Sequence, residues 1–303
     1  MSPAAVLIGY AVLVGFLVPQ FLVRSSWPHR APALAVAAWH ALTVSFALTV
    51  ALTAYHLAAP DEHLHAGLVG LLHSCGLASD ANSTNLDSAD GLSLAAPVAL
   101  MVLLLGAFTF VLGRARWARS KHRRVLDMVG RRSKRLRATV VAHSLPAAYC
   151  LPGRCPRVVV SQGALELLSA QQLDAVLEHE RAHIAGRHHV AMAAAQAFAN
   201  VFRRLPLARH AQEQTALLLE MIADDRALRC HSREALATAM YEMAATKAPE
   251  GAFAAGGPSA LLRLQRVLTP KAGPHPALWG SLAAVAVTVP LIPFLVACSP
   301  GVG

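Results

Sequence analysis

Apolar residues gather into four long runs that no charge interrupts: Ala4 to Val23, about Ala33 to Ala59, Leu94 to Gly113, and about Trp279 to Cys298. A helix needs about 20 apolar residues to cross a bilayer, so every run is long enough. The expected fold class is therefore mainly α, a multi-pass membrane protein with four transmembrane helices. The first run lacks a basic segment before it and a small-residue cleavage site, so it reads as a retained helix and not a signal peptide. A fifth apolar run, Val190 to Phe202, has only 13 residues. That length suits a core or interfacial helix rather than a span.

Between the third and fourth runs the pattern changes. Ala138–Ala142, Ala147–Leu151 and Arg157–Ser161 are short apolar stretches broken by Pro and Gly, as strands are. From Ala164 the spacing becomes helical, and Ser169 is placed to cap a helix with Leu173, Val176 and Leu177 on one face. Residues 138–278 are thus expected to form an α+β domain, the one segment long enough for a globular core of its own.

Composition sharpens this picture. The chain is 55% hydrophobic and 15% charged, against about 25% charged in ordinary globular domains. Disorder is excluded, and an ordinary soluble enzyme is disfavoured. The net charge of +10 has one source: residues 114–137 hold eleven Lys/Arg and one acid. This basic stretch directly follows a membrane run and contains a single aromatic residue, Trp117. It reads as a belt against anionic lipid headgroups, and no direct nucleic-acid partner is expected.

Residues 60–93 contain no Lys or Arg and five acids, Asp61, Glu62, Asp80, Asp87 and Asp90. The positive-inside rule then puts 60–93 outside and 114–278 in the cytoplasm of a cell-membrane protein, with both termini outside. The expected organisation is three membrane helices with an outer loop (1–113 and 60–93), a basic juxtamembrane linker (114–137), a cytoplasmic domain (138–278), a fourth helix (279–298) and a short tail (299–303). Cys75 and Cys298 share the oxidising side, which permits a disulfide. Cys150 and Cys155 lack a metal-site pattern and read as structural thiols.

The candidate chemistry lies in His179-Glu180-Arg181-Ala182-His183, an H-E-x-x-H motif on an expected helix. Residues i and i+4 share a helical face, so two imidazoles can converge on one Zn²⁺. The intervening Glu180 can take a proton from an attacking water and later hand it to a leaving amine. Catalytic zinc commonly uses two His and one Glu. Glu220, in an apolar run where a lone carboxylate would be costly, is the favoured third ligand, with Glu213 as the alternative. Asp224, one turn after Glu220, is placed to orient a ligand histidine. An electrophile for the oxyanion is also needed; Arg226, His231 and Tyr241 are candidates by position alone.

HERAH, followed by Glu220-Met221-Ile222-Ala223-Asp224 and preceded by PRVVVSQGALELLSAQQLDAVLEHE, resembles the gluzincin membrane metallopeptidases. These include the HtpX-type proteases, the CAAX prenyl endopeptidases and the BlaR/MecR-type antirepressor peptidases. The likeness covers roughly residues 145–245, and the span order is similar to the BlaR/MecR type. It implies a gluzincin-like zinc protease domain with His179, His183 and Glu220 as zinc ligands, Glu180 as general base and Asp224 beyond the ligands. His188 falls where such proteins often carry His or Asp. Arg157–Ser161 with Pro156 would be an edge strand that accepts the substrate as an added strand. The expected function is a zinc metalloendopeptidase that cuts a cytoplasmic protein, a transcriptional repressor or itself, in signal transduction. The alternatives are membrane-protein quality control and a non-catalytic receptor with structural zinc. The antibiotic-sensing members carry a penicillin-binding domain after the fourth span, whereas Ser299 to Gly303 holds none. Any signal is therefore expected through the outer loop, the spans or a partner.

Overall fold

Each apolar run is helical in the computed structural model, which describes residues 3–58, 88–246, 257–269 and 276–297. Helix α1 (Pro3–Arg24) includes a π-helical turn at Leu13–Leu17, just before Pro19. A single 3₁₀ turn at Trp27–His29 leads into α2 (Pro32–Ala58). The fourth run forms α10 (Pro276–Thr288) and α11 (Ile292–Ala297), separated by a 3₁₀ turn around Pro290. Proline removes a backbone donor and clashes with the preceding turn, which accounts for the break. Residues 60–87 of the acidic loop, Cys75, Cys298 and the tail lie outside the described residues.

The third run is longer than expected. Helix α3 (Ser88–Val129) has 42 residues, about 63 Å at 1.5 Å per residue. It carries the basic residues from Arg114 to Arg124 on the same rod as the apolar ones. Nothing in that stretch breaks a helix, because Arg, Ala, Leu and Lys are good helix formers. The boundary read at residue 113 is a change of composition, from apolar to basic, within one element. The rod feeds directly into the sheet at β1 (Gly130–Ser133).

Strands β2 (Ala138–Val141), β3 (Ala148–Leu151) and β4 (Arg157–Ser161) complete a sheet of order β1-β2-β4-β3. β4 pairs in parallel with β2 and antiparallel with β3. It is therefore an interior strand, which corrects the expectation that it is an edge. Val158, Val159 and Val160 are all buried, the unbroken apolar run of a strand covered on both faces. β3 is the edge strand beside β4, and α3 braces it: Arg123 donates to the Leu151 and Pro152 carbonyls, and the His122 ring lies 2.6 Å from the Tyr149 hydroxyl.

Helix α4 (Gln162–Leu167) leads to α5 (Ala170–Ala185), which starts with a capping box. The Ser169 hydroxyl accepts from the Gln172 N–H, and the Gln172 side chain accepts from the Ser169 N–H. The helices α6 (His188–Val201), α7 (Pro206–Ala227), α8 (Arg233–Ala245) and α9 (Gly257–Leu268) follow. The core is shared across the expected domain boundary. Val14 of α1 and Ala35, Trp39, Leu42 and Phe46 of α2 pack with Phe198 of α6 and Leu207, Ala211, Leu218 and Met221 of α7. A second core joins the sheet to α5 through Val158, Val160, Leu173, Val176 and Leu177. The site helices α5 and α7 thus sit between the sheet and the membrane helices.

Candidate metal centre

Helix α5 presents His179 and His183 on one face, as i and i+4 spacing requires. Their Nε2 atoms lie 3.2 Å apart. Helix α7 crosses α5 and brings the Glu220 carboxylate to 3.5 Å from His179 Nε2 and 3.3 Å from His183 Nε2. Tetrahedral ligands about 2.0–2.1 Å from one ion lie about 3.3 Å from each other. The three donor groups already have that mutual spacing, and a shared cation relieves the crowding of two ring nitrogens. The donor set and geometry therefore fit a metal ion. Among the described residues, these three form the only cluster of metal-binding type.

The outer faces of both imidazoles are also engaged. His179 Nδ1 lies 2.9 Å from Oδ1 of Asp224, whose side chain is 1% exposed. His183 Nδ1 lies 2.8 Å from Nδ1 of His188. Burial and the neighbouring His183 lower the His188 pKa to about 4, so His188 is neutral and can accept the His183 N–H. That contact leaves the His183 Nε2 lone pair facing the centre. Gly186 makes room for it, since a Cβ there would stand 2.4 Å from the His188 ring.

Arg263 of α9 completes the arrangement. Its Nε and Nη2 donate to the two Asp224 oxygens at 2.8 Å, and its Nη1 lies 2.7 Å from Glu220 Oε2. Although burial raises carboxyl pKa values, His179, His183 and Arg263 hold Glu220 well below the usual range, and Arg263 and His179 lower Asp224. Both are carboxylates at any physiological pH. On the next turn Arg266 makes a bidentate pair with Asp225 and donates to the His29 carbonyl between α1 and α2. Helix α9 therefore ties the centre to the membrane helices.

Glu180 lies beside this cluster, where burial pushes its carboxyl upward against the opposing influence of His179 and His183. The Cys150 thiol of the edge strand lies close to it, and burial together with Glu180 raises that thiol to about 12. A cavity of about 460 Å³ opens over the cluster, with Cys150, Met192, Glu213, Glu220 and Arg263 among its lining residues.

The chain matches peptidase family M48 over residues 113–271, just over half its length. The chain belongs to this family. It is accordingly a metal-dependent peptidase, and the His-His-Glu cluster lies within the matched segment. No curated protein matches the chain, and no solved structure does either.

Within an M48 peptidase the other expected residues fall in different places. Glu213 is 57% exposed, contacts His210 and stands two turns from the cluster, so it is not part of it. Arg226 contacts Glu178 on the surface, Tyr241 is exposed on α8, and neither they nor His231 line the cavity. Cys150, read as a structural thiol, borders the Glu180 carboxylate. Sequence reasoning misses Arg263 altogether. The available signal is a pair of arginines three apart, Arg263 and Arg266, in an otherwise apolar helical stretch.

Removing Arg263 leaves the buried Asp224 charge without its main partner. Breaking a buried ion pair costs about 3–5 kcal/mol. Arg263→Ala should therefore lower the thermal midpoint of the metal-free protein in detergent, and Asp224→Asn in the same background should recover part of the loss. A midpoint unchanged by Arg263→Ala would show that the pair carries no such weight.

Proposed function

We propose that this M48 peptidase is a zinc-dependent endopeptidase of the cytoplasmic membrane whose centre opens on the cytoplasmic side. The carrying observation is the 3.2–3.5 Å triangle of His179, His183 and Glu220. Two imidazoles and a carboxylate are the donor set and geometry of catalytic zinc. The basic residues of α3, which follow its apolar part, support the cytoplasmic orientation.

Zinc bound there supplies Lewis acidity, polarising the scissile carbonyl and making water a better nucleophile. The chain's own residues do the rest. Glu180 takes the proton of the attacking water and delivers it to the amine that leaves. Asp224 and His188 hold the imidazoles in place, and Arg263 holds Glu220 and Asp224 together. The free edge of β3, with Cys150 beside Glu180, suits an extended substrate that adds to the sheet as a strand. The span order, three helices before the catalytic segment and one after, supports a signalling peptidase of the BlaR/MecR type acting on a repressor. The insertion of α6 and α7 among the membrane helices supports a substrate anchored in the bilayer instead.

The full chain purified in detergent should contain about one zinc per molecule and hydrolyse an unfolded reporter protein. Chelation should stop hydrolysis, and added zinc should restore it. Burial would lower the His179 pKa, but Asp224 and Glu220 hold it up at about 9. Below that pH the metal must displace a proton. Zinc binding at pH 7 should therefore release about one proton from His179, and apparent affinity should rise about tenfold per pH unit, levelling above pH 9. Calorimetry in buffers of different ionisation enthalpy counts the proton. Absence of stoichiometric zinc in the wild-type protein would sink the proposal, and zinc without hydrolysis would favour a structural site.

A further inference from the structure

Helices α6 and α7 form a hairpin whose tip, Phe202–Leu205, reaches deep among the membrane helices. Phe202 stacks edge-on against Phe46 in the middle of α2, with ring centroids 5.3 Å apart. Leu205 packs at Gly15 in the middle of α1, where its Cδ1 would stand 3.1 Å from a Cβ. Gly15 precedes Arg24, the basic end of the first apolar helix, by nine residues, about 13 Å along the axis; with Arg24 taken as the membrane surface, the tip falls within a hydrocarbon core about 30 Å thick. The 13-residue run Val190 to Phe202 is thus a re-entrant arm, too short to span and long enough to reach the middle.

This tip is charged. Arg203 and Arg204 are exposed there, and among the described residues neither has a carboxylate partner. Charged groups inside a bilayer are costly and mark functional sites. The face of the hairpin that leads to the metal centre is polar as well. On α6, His188, Met192, Gln196 and Asn200 recur every fourth residue; on α7, Arg209, Glu213, Ala216 and Glu220 follow the same helical repeat. Gln212 donates to Gln196, and Gln196 donates to Asn200, forming rungs across and along the furrow. The lower end of the furrow is the cavity over the metal centre, since His188, Met192, Glu213, Ala216 and Glu220 line it.

We propose that this furrow receives a membrane-spanning segment of a protein substrate, held by an acidic side chain on Arg203 and Arg204 and led down to the metal centre. The inference rests on the peptidase reading and names its substrate class. An unwound polar main chain inside the bilayer needs hydrogen-bonding partners, and the Gln196, Asn200 and Gln212 amides provide them. The cationic tip complements a carboxylate. From Leu205 to Glu220 the helix rises about 22 Å, equal to about seven residues of extended chain. The acidic residue therefore lies about six to eight residues to the membrane side of the cut bond.

The test uses the full chain in liposomes with a designed single-pass Leu/Ala helix, extended on the Arg24 side of the membrane by an unstructured cleavable segment. One Asp is walked along the helix; an Asp-free helix and the unanchored segment are the comparisons. Cleavage should be at least tenfold faster with Asp than without, and fastest at the predicted separation. Replacing both arginines (Arg203→Glu with Arg204→Glu) should abolish the preference for Asp and create one for Lys at the same position, with zinc content reporting that this variant is folded. A photocrosslinker at Ala216 in the Glu180→Gln protein should capture the Asp-bearing helix and not the Asp-free one. The proposal is overturned if the unanchored segment is cut as fast as the anchored one, if the Asp position has no effect, or if charge reversal leaves the preference intact. If anchored helices are neither cut nor captured while a soluble unfolded protein is hydrolysed, this inference fails and the peptidase reading stands. Capture of the Asp-bearing helix with no hydrolysis of any substrate by the wild type would instead keep the furrow and remove the peptidase reading.

Discussion

Glu180→Gln should abolish peptide hydrolysis while leaving the metal in place. Positioned general acid–base groups contribute about 10²–10⁴-fold to rate. In the proposed mechanism Glu180 serves both proton transfers, so kcat should fall by about 10³-fold or more, which corresponds to about 4 kcal/mol of barrier. Glutamine has the same shape as glutamate, so the local structure should survive. KM should change little, because the lost step is chemical. Burial pushes the Glu180 carboxyl upward, the direction that strengthens a carboxylate as a base. Two readouts are needed on the same sample: steady-state kinetics on an unfolded protein and zinc per chain. Full activity in Glu180→Gln would remove Glu180 from the mechanism, and loss of zinc would make it a ligand.

Local features of this protein are legible in the chain, and long-range ones are not. The capping box at Ser169 and the i, i+4 histidines each depend on residues within one or two helical turns, so a short window contains the whole interaction. The Glu220–Asp224 pair is legible for a related reason: a carboxylate in an apolar helix demands a partner. The partner itself, Arg263, lies 39 residues beyond Asp224 in sequence. No periodicity links the two segments, so only the packing of α9 against α7 reveals the pair. The strand order is hidden in the same way. β2 and β4 pair in parallel across an intervening β3, and that arrangement has no local signature beyond the unbroken Val158–Val160.

The membrane part departs from expectation for a different reason. Four apolar runs give four helices, but the change of composition at Arg114 marks no change of structure. A helix does not need constant polarity, only residues without backbone conflicts, and α3 continues through the basic belt into β1. The expected separation between membrane and catalytic parts likewise dissolves in the shared core of Trp39, Phe46, Phe198 and Leu218. Burying α6 and α7 against α1 and α2 fixes the metal centre relative to the apolar helices, which a linker could not.

Glu220→Ala and Glu213→Ala should separate cleanly by metal content. Glu220 lies 3.3 Å from His183 Nε2 and 3.5 Å from His179 Nε2, while Glu213 is exposed and lies beside His210. Without Glu220 the site keeps two imidazoles, and a bound Zn²⁺ loses its one anionic ligand. Its affinity should fall by at least the 10–100-fold expected for losing a residue outside the ligand shell, and activity should vanish. Glu220→Ala also leaves the Arg263 Nη1 without a carboxylate, yet Arg263 retains both bonds to Asp224, so the fold should persist. The circular dichroism spectrum of Glu220→Ala should therefore match the wild type at normal expression. Glu213→Ala should bind zinc stoichiometrically, and any change should appear in substrate affinity through the cavity wall it helps form. Stoichiometric zinc in Glu220→Ala, with zinc lost from Glu213→Ala, would transfer the third ligand to Glu213 and require α7 to slide by about 10 Å along its axis, the rise of seven residues.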